Sequence, residues 1–219
     1  MKTFLSIGAG PGMGMATAER FARGGFQVVL SARNPEQTQH LAEELKAQRH
    51  KAEMRIVDAG VPSSVSGLVE SVEREFGGID VLHYNAASAR AATLADQSRD
   101  SFNSDLAVNI GGAMVAAQAA APKMAARGSG TILLTGGRLA LHPHPDYLSL
   151  SIGKAGIRAL AFGLFETLKA KGIHIATVTV ATSVNPGSGE AKAVAEQFWT
   201  IYSQPAGLWE IEAVYPHKA

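Results

Sequence analysis

Gly8-Ala9-Gly10-Pro11-Gly12-Met13-Gly14 follows directly on the apolar run Thr3–Ile7 and leads into Ala16, Ala18, Phe21 and Ala22, spaced for the buried face of a helix. Strand, glycine turn and helix in that order present backbone N–H groups at a helix start, and the missing Cβ atoms let the chain bend sharply and approach a ligand. A diphosphate is the group such a turn suits. Gly8, Gly10, Pro11, Gly12, Met13 and Gly14 are therefore candidate diphosphate-binding residues.

Outward from this turn, short apolar or β-branched runs alternate with longer helical stretches. Strands are expected at Thr3–Ile7, Gln27–Ser31, Ala52–Val57, Val81–Asn85, Thr131–Thr135, Ile173–Val180 and Trp209–Tyr215. Helices are expected at Met13–Gly24, Pro35–Gln48, Pro62–Phe76, Asp105–Arg127, Tyr147–Lys171 and Glu190–Ser203, with Gly24-Gly25, Gly77-Gly78, Gly128 and Gly172 as stops. Right-handed crossovers place the strands in one doubly wound α/β sheet, mainly parallel, with ligands in the crevice at the carboxyl ends where strand order reverses. Repeats, linkers and low-complexity segments are lacking, so one domain over residues 1–219 is expected.

The end of the second strand sets cofactor choice. A fold that prefers the unphosphorylated ribose places a carboxylate there, about 20 residues beyond the glycines. This chain has Ala32-Arg33-Asn34 instead. A guanidinium attracts a ribose 2′-phosphate and can hold it with two hydrogen bonds. Arg33 and Asn34 thus point to NADP(H) ahead of NAD(H).

Composition narrows the remaining classes. A formal net charge of +1 gives no general attraction to nucleic acid or anionic membranes. With no cysteine, disulfides and thiolate chemistry are excluded, no metal site is expected, and a reducing compartment fits. MKTFLSIGAG runs straight into a strand rather than a signal-peptide block, so a cytoplasmic location is expected. The most apolar long stretch, Leu106 to Ala126, contains Asn109, Gln118, Pro122 and Lys123 and reads as a packed helix rather than a membrane span.

Further motifs follow in a fixed order: Asp58-Ala59 after the third strand, Asn85-Ala86-Ala87 in HYNAAS after the fourth, Asn109 in DLAVNIGG, and Lys154 in SIGKAGIRAL. With Gly8, Gly12 and Gly14 in GxxxGxG spacing, the chain over about residues 3 to 181 resembles the short-chain dehydrogenase/reductase family. The resemblance implies a Rossmann fold with a nicotinamide dinucleotide. Asp58 then meets the adenine amino group, Asn85-Ala86-Ala87 stands for the NNAG motif, Asn109 kinks its helix and holds a water, and Lys154 is the lysine of YxxxK. Val180 lies next to the place where the family's Pro-Gly borders the nicotinamide. It also implies pairing into a homodimer or homotetramer through helices Asp105–Arg127 and Tyr147–Lys171, rich in small residues such as Gly111, Gly112, Ala116 and Gly156.

The catalytic pattern departs from the family. Leu150 stands where the tyrosine of YxxxK is expected, and Gly137 where the serine is. A carbonyl reduction then needs another proton donor. Tyr147 lies three residues before Leu150 and seven before Lys154, on one face if the helix is continuous, but displaced along it by about 4.5 Å. It is the candidate acid, with Asn109 and Lys154 completing the catalytic set. His142 and His144 in the preceding loop are alternatives. Ser149 and Ser151 project from other helix faces. Beyond Val180, residues 182–207 hold only a short substrate loop and one helix, whose Phe198, Trp199 and Tyr202 either pack on the sheet or line a substrate cavity. The reading is an NADP(H)-dependent oxidoreductase of a small carbonyl or alcohol with an atypical site. The alternative is a non-catalytic NADP(H)-binding sensor or regulatory protein.

Overall fold

Apolar runs covered on both faces become parallel strands. In the computed structural model every residue of β1 (Thr3–Ile7) and β6 (Ile173–Val180) is buried. Both strands match their expected limits. Residues 1–216 are described; 217–219, part of the expected single domain, lie outside the described residues.

The other strands are β2 (Gln27–Ala32), β3 (Ala52–Ile56), β4 (Val81–Tyr84), β5 (Gly130–Gly137) and β7 (Glu212–Tyr215). All neighbours pair in parallel, in the order β3-β2-β1-β4-β5-β6-β7. Strand order reverses between β1 and β4, where Ile7 lies opposite Tyr84. The crevice of a doubly wound sheet opens at that point.

Two layers of helices cover the sheet. On one face, α1 (Met13–Arg23), α2 (Pro35–Ala47) and α7 (Gly189–Tyr202) bury Ala18, Phe21, Leu45, Val194 and Phe198 against β1, β2 and β6. On the other, α3 (Pro62–Phe76), α5 (Gly112–Arg127) and α6 (Leu148–Lys169) bury Val69, Ala116, Met124, Ile157 and Phe165. Each fully buried large side chain of this kind contributes roughly 1.5–3 kcal/mol. α6 is long and apolar enough, by length and composition, to cross a membrane. Here it is the crossover from β5 to β6, with Ile157, Ala161, Phe165 and Leu168 buried along one face.

Two expected boundaries shift by three residues or more. The helix expected at Asp105–Arg127 starts at Arg99: α4 (Arg99–Leu106) runs into a π turn (Ala107–Gly111) and then into α5. Gly112 sits so close to the Ala59 carbonyl and the Tyr84 hydroxyl that a Cβ would collide with both, and Tyr84 donates to the Val108 carbonyl inside the π turn. The strand expected from Trp209 begins only at Glu212. Trp209 instead stacks flat on His174 at 4.8 Å and donates to the Gln204 carbonyl. Phe198, Trp199 and Tyr202 pack inward: Phe198 meets His83 edge-on at 4.7 Å, and Trp199 and Tyr202 meet Phe21 at 5.2 and 5.3 Å.

Candidate functional site

The glycine turn leaves β1 at the reversal point. Gly8 and Ala9 donate to the Ser31 carbonyl at 2.8 and 3.0 Å, and the Asn85 amide donates to the Gly8 carbonyl at 2.8 Å. The four glycines divide their work. A Cβ on Gly8 would collide with the Ala86 backbone, and one on Gly14 would press on Ala9 and Asn85, whereas Gly10 and Gly12 have nothing within 4 Å of the place a Cβ would take. Gly12 caps α1 without a side-chain bond, and the first turn holds no acidic residue. The free N–H groups at that end therefore face open space beside two glycines, which suits a diphosphate.

Gly8, Arg33, Asn34, Ala59, Asn85, Ala86 and Ala87 line a cleft of about 370 Å³ beside this turn. Arg33 is exposed, and among the described residues its guanidinium has no ion pair or hydrogen bond. Asn34 is less available than expected: its Oδ1 accepts from Gln37 N at 3.0 Å and caps α2. Asp58 uses Oδ1 to accept from Gly60 N at 2.9 Å, which fixes the turn and leaves Oδ2 without a partner among the described residues. Pro11 and Met13 lie in the turn and first residue of α1.

A second cavity, of about 570 Å³, opens at the carboxyl ends of β5 and β6. Tyr147, Leu150, Lys154 and Val180 all line it. Val180 lies opposite Gly137 on β5. Lys154 donates to the Thr135 carbonyl at 2.6 Å, and burial pushes its ammonium down to about 8. Tyr147 reaches this cavity from outside the helix: it is the residue before α6, with φ −134° and ψ 40°. The helical face shared with Lys154 is therefore not what brings it there. The chain bends at Asp146-Tyr147, where Ala92 N bonds to the Asp146 carbonyl at 2.8 Å. The Tyr147 ring stands edge-on to His144 at 5.8 Å.

Asn109 does not reach the cavity. Its Oδ1 accepts from Ser88 N at 2.7 Å and its Nδ2 donates to the Ser88 carbonyl at 3.1 Å, so both ends of the amide are held. Gly153, the residue before Lys154, packs against Asn109 so closely that a Cβ would collide with it. Asn109 is a positioning residue here, setting how near α6 comes to the π turn. Ser149 and Ser151 do turn elsewhere, to the Asp105 carboxylate at 3.0 Å and the Tyr147 carbonyl at 2.8 Å.

Two polar networks support the site and were not read from sequence. In the first, Thr135 gives its only hydroxyl proton to Asn85 Oδ1 at 2.9 Å, so it accepts from His83 Nε2 at 3.1 Å, and His83 Nδ1 accepts from Ser6 at 3.3 Å. Burial, reinforced by the Lys154 charge, pushes the His83 imidazole down to about 3. A neutral histidine thus ties the glycine turn to the strand that holds Lys154. In the second, the buried Asp105 carboxylate accepts from Ser88, Arg90, Gln97 and Ser149. Burial works to raise this carboxyl, but the bonds from Arg90, Ser88 and Ser149 outweigh it and hold it below its ordinary value. The available signal was a polar residue inside an apolar strand, as with His83 in VLHY, because such a group must find partners.

Residues 2–193 match the family model described as short chain dehydrogenase. The chain belongs to the short chain dehydrogenase family. An oxidoreductase of Staphylococcus aureus (strain USA300) is 28% identical over 188 residues, covering 85% of this chain and 77% of that protein. The oxidoreductase UcpA of Escherichia coli (strain K12) is 31% identical over 178 residues, 80% of this chain and 66% of that one. Among solved structures, a metagenomic short-chain oxidoreductase in complex with NADP superposes with a TM-score of 0.90 at 22% identity, covering 97% and 96% of the two chains. A short-chain dehydrogenase from Rhodopseudomonas palustris gives 0.89 at 25% identity, with 99% of each chain covered. This short-chain dehydrogenase family member is thus an oxidoreductase by kind, with a single Rossmann domain and a seven-stranded parallel sheet.

Proposed function

We propose that this protein is an NADP(H)-dependent oxidoreductase of small carbonyl or alcohol substrates, with Tyr147 in place of the proton donor the family holds one turn later. The observation that carries the reading is the continuous run of features along the sheet's carboxyl edge. It comprises an uncapped helix start beside open glycines, an Arg33 without a partner among the described residues, and Lys154 and Tyr147 lining one cavity. When bound, NADP(H) gives or takes a hydride. The N–H groups of Gly10, Gly12, Met13 and Gly14 would hold its diphosphate, Arg33 the 2′-phosphate, Asp58 Oδ2 the adenine amino group, and Lys154 the nicotinamide ribose hydroxyls. Tyr147 would give a proton to, or take one from, the substrate oxygen. Of residues 182–207, the part ahead of α7, 182–188, would act as a short substrate loop, leaving the cavity partly open.

Cofactor choice rests on Arg33. Arg33→Ala is expected to weaken NADPH binding on the order of tenfold or more, the usual scale for a charge-assisted bond, while NADH affinity stays nearly unchanged. Equal losses for both in fluorescence titrations would overturn the assignment.

The proton donor rests on Tyr147. Tyr147→Phe is expected to lower kcat by about a hundredfold or more, with the cofactor affinity kept. An unchanged kcat and pH profile would remove Tyr147 from the mechanism. Leu150 and Gly137 favour a second reading, a non-catalytic NADP(H)-binding sensor, and tight NADPH binding without turnover of a broad carbonyl panel would select it. Met114, Ile152 and Phe162, exposed apolar side chains on α5 and α6, support pairing of two copies through these helices. The lack of cysteine supports a reducing, cytoplasmic setting.

A further inference from the structure

The 570 Å³ cavity beside Lys154 has an uneven charge. Arg138 and Lys154 line it, and among the described residues no aspartate or glutamate does. Arg138 comes directly after Gly137 at the end of β5, where a short 3-10 turn begins. Among the described residues its guanidinium has no ion pair and no hydrogen bond, whereas Arg90, Arg127 and Arg158 each close on a carboxylate at 2.8 to 2.9 Å. Among the described residues the Lys154 ammonium bonds only the neutral Thr135 carbonyl. Two cations lining a half-enclosed cavity, with no carboxylate partner among the described residues, attract anions and concentrate them there. An arginine keeps its charge at every working pH and presents a planar fork that matches a carboxylate. Thr182 and Ser183 on the adjoining wall add hydroxyls for a second polar group.

We infer that the substrate carries a carboxylate, a short oxo or hydroxy acid whose carboxylate is held by Arg138 with its reacting carbon toward Lys154 and Tyr147. This rests on the reading of that cavity as the substrate site. It adds the substrate class, with Arg138 as the specificity-determining residue.

The test compares pyruvate and levulinate with their primary amides by calorimetry on the NADP⁺-loaded protein. The acids are expected to bind and the amides to bind at least about tenfold more weakly, since an amide keeps the shape and loses the charge. Arg138→Gln is expected to remove that preference while leaving NADPH affinity unchanged. Acids and amides binding alike, no heat from either acid, or an Arg138→Gln protein that still prefers acids would each overturn the inference. NADPH titration of the same samples separates the two claims. If NADPH fails to bind the unaltered protein, the cofactor reading falls. The acid and amide series on cofactor-free protein then still decides this inference, because Arg138 and Lys154 belong to the protein itself.

Discussion

Gly8→Ala is expected to destabilise the protein by about 3 kcal/mol and to abolish NADPH binding, whereas Gly10→Ala is expected to keep the stability and lose the cofactor alone. Gly8 has φ +89°, a left-handed conformation that costs a residue with a side chain roughly 1–3 kcal/mol. The new methyl group would also meet the Ala86 backbone, which cannot rotate away, and forcing atoms into a packed site costs about 1–3 kcal/mol more. Relief requires moving the turn, which breaks the paired bonds from Gly8 and Ala9 to the Ser31 carbonyl and the bond from Asn85 to the Gly8 carbonyl. Against a total stability of about 5–15 kcal/mol, that is a large share. Gly10 has no neighbour within 4 Å, so its added methyl costs the fold nothing and stands where a diphosphate would approach. Urea unfolding and fluorescence titration of both variants read the two effects apart. A Gly10→Ala protein that binds NADPH as tightly as the unaltered chain would falsify the placement of the diphosphate.

The same contrast explains what the sequence made legible. Strand and helix positions were readable because buried parallel strands carry unbroken apolar runs, and the glycine turn was readable because its chemistry is local. Residues 99–104, RDSFNS, lie ahead of the expected helix because they have almost no apolar periodicity. What holds them is the Asp105 carboxylate, gathering donors from three other segments, and such partners appear only once the chain has folded. Tyr147 shows the same limit. Sequence spacing placed it on a continuous helix with Lys154, while the structure brings it to the cavity through a bend stabilised by Ala92, which is distant in sequence. Asn109 was named for its motif, yet its direction depends on the π turn, which in turn depends on Gly112 fitting against Ala59 and Tyr84. Motifs identified the residues, and long-range packing decided which way each of them points.

The double variant Gly137→Ser with Leu150→Tyr is expected to raise kcat/KM for carbonyl reduction by at least about a hundredfold, the lower range for a well-placed general acid. Room exists for both changes. The three atoms nearest to a Cβ on Gly137 would be Lys154 side-chain carbons at 3.6 to 3.7 Å, which is ordinary contact, and Leu150 already lines the cavity. Leu150 and Lys154 are four residues apart on α6, so a phenol at 150 stands over the ammonium, whose charge favours the phenolate and eases proton transfer. That help holds while Lys154 is protonated. Since burial puts its ammonium at about 8, the gain is expected to be full below that pH and to fade as pH rises through it. Transfer of the acid role has its own signature: Tyr147→Phe, costly in the unaltered protein, is expected to be nearly silent in the double variant. A double variant that folds and binds NADPH normally but reduces no carbonyl faster would mean that the cavity beside Lys154 does not hold a substrate carbonyl, and the non-catalytic reading would then be the one the structure supports.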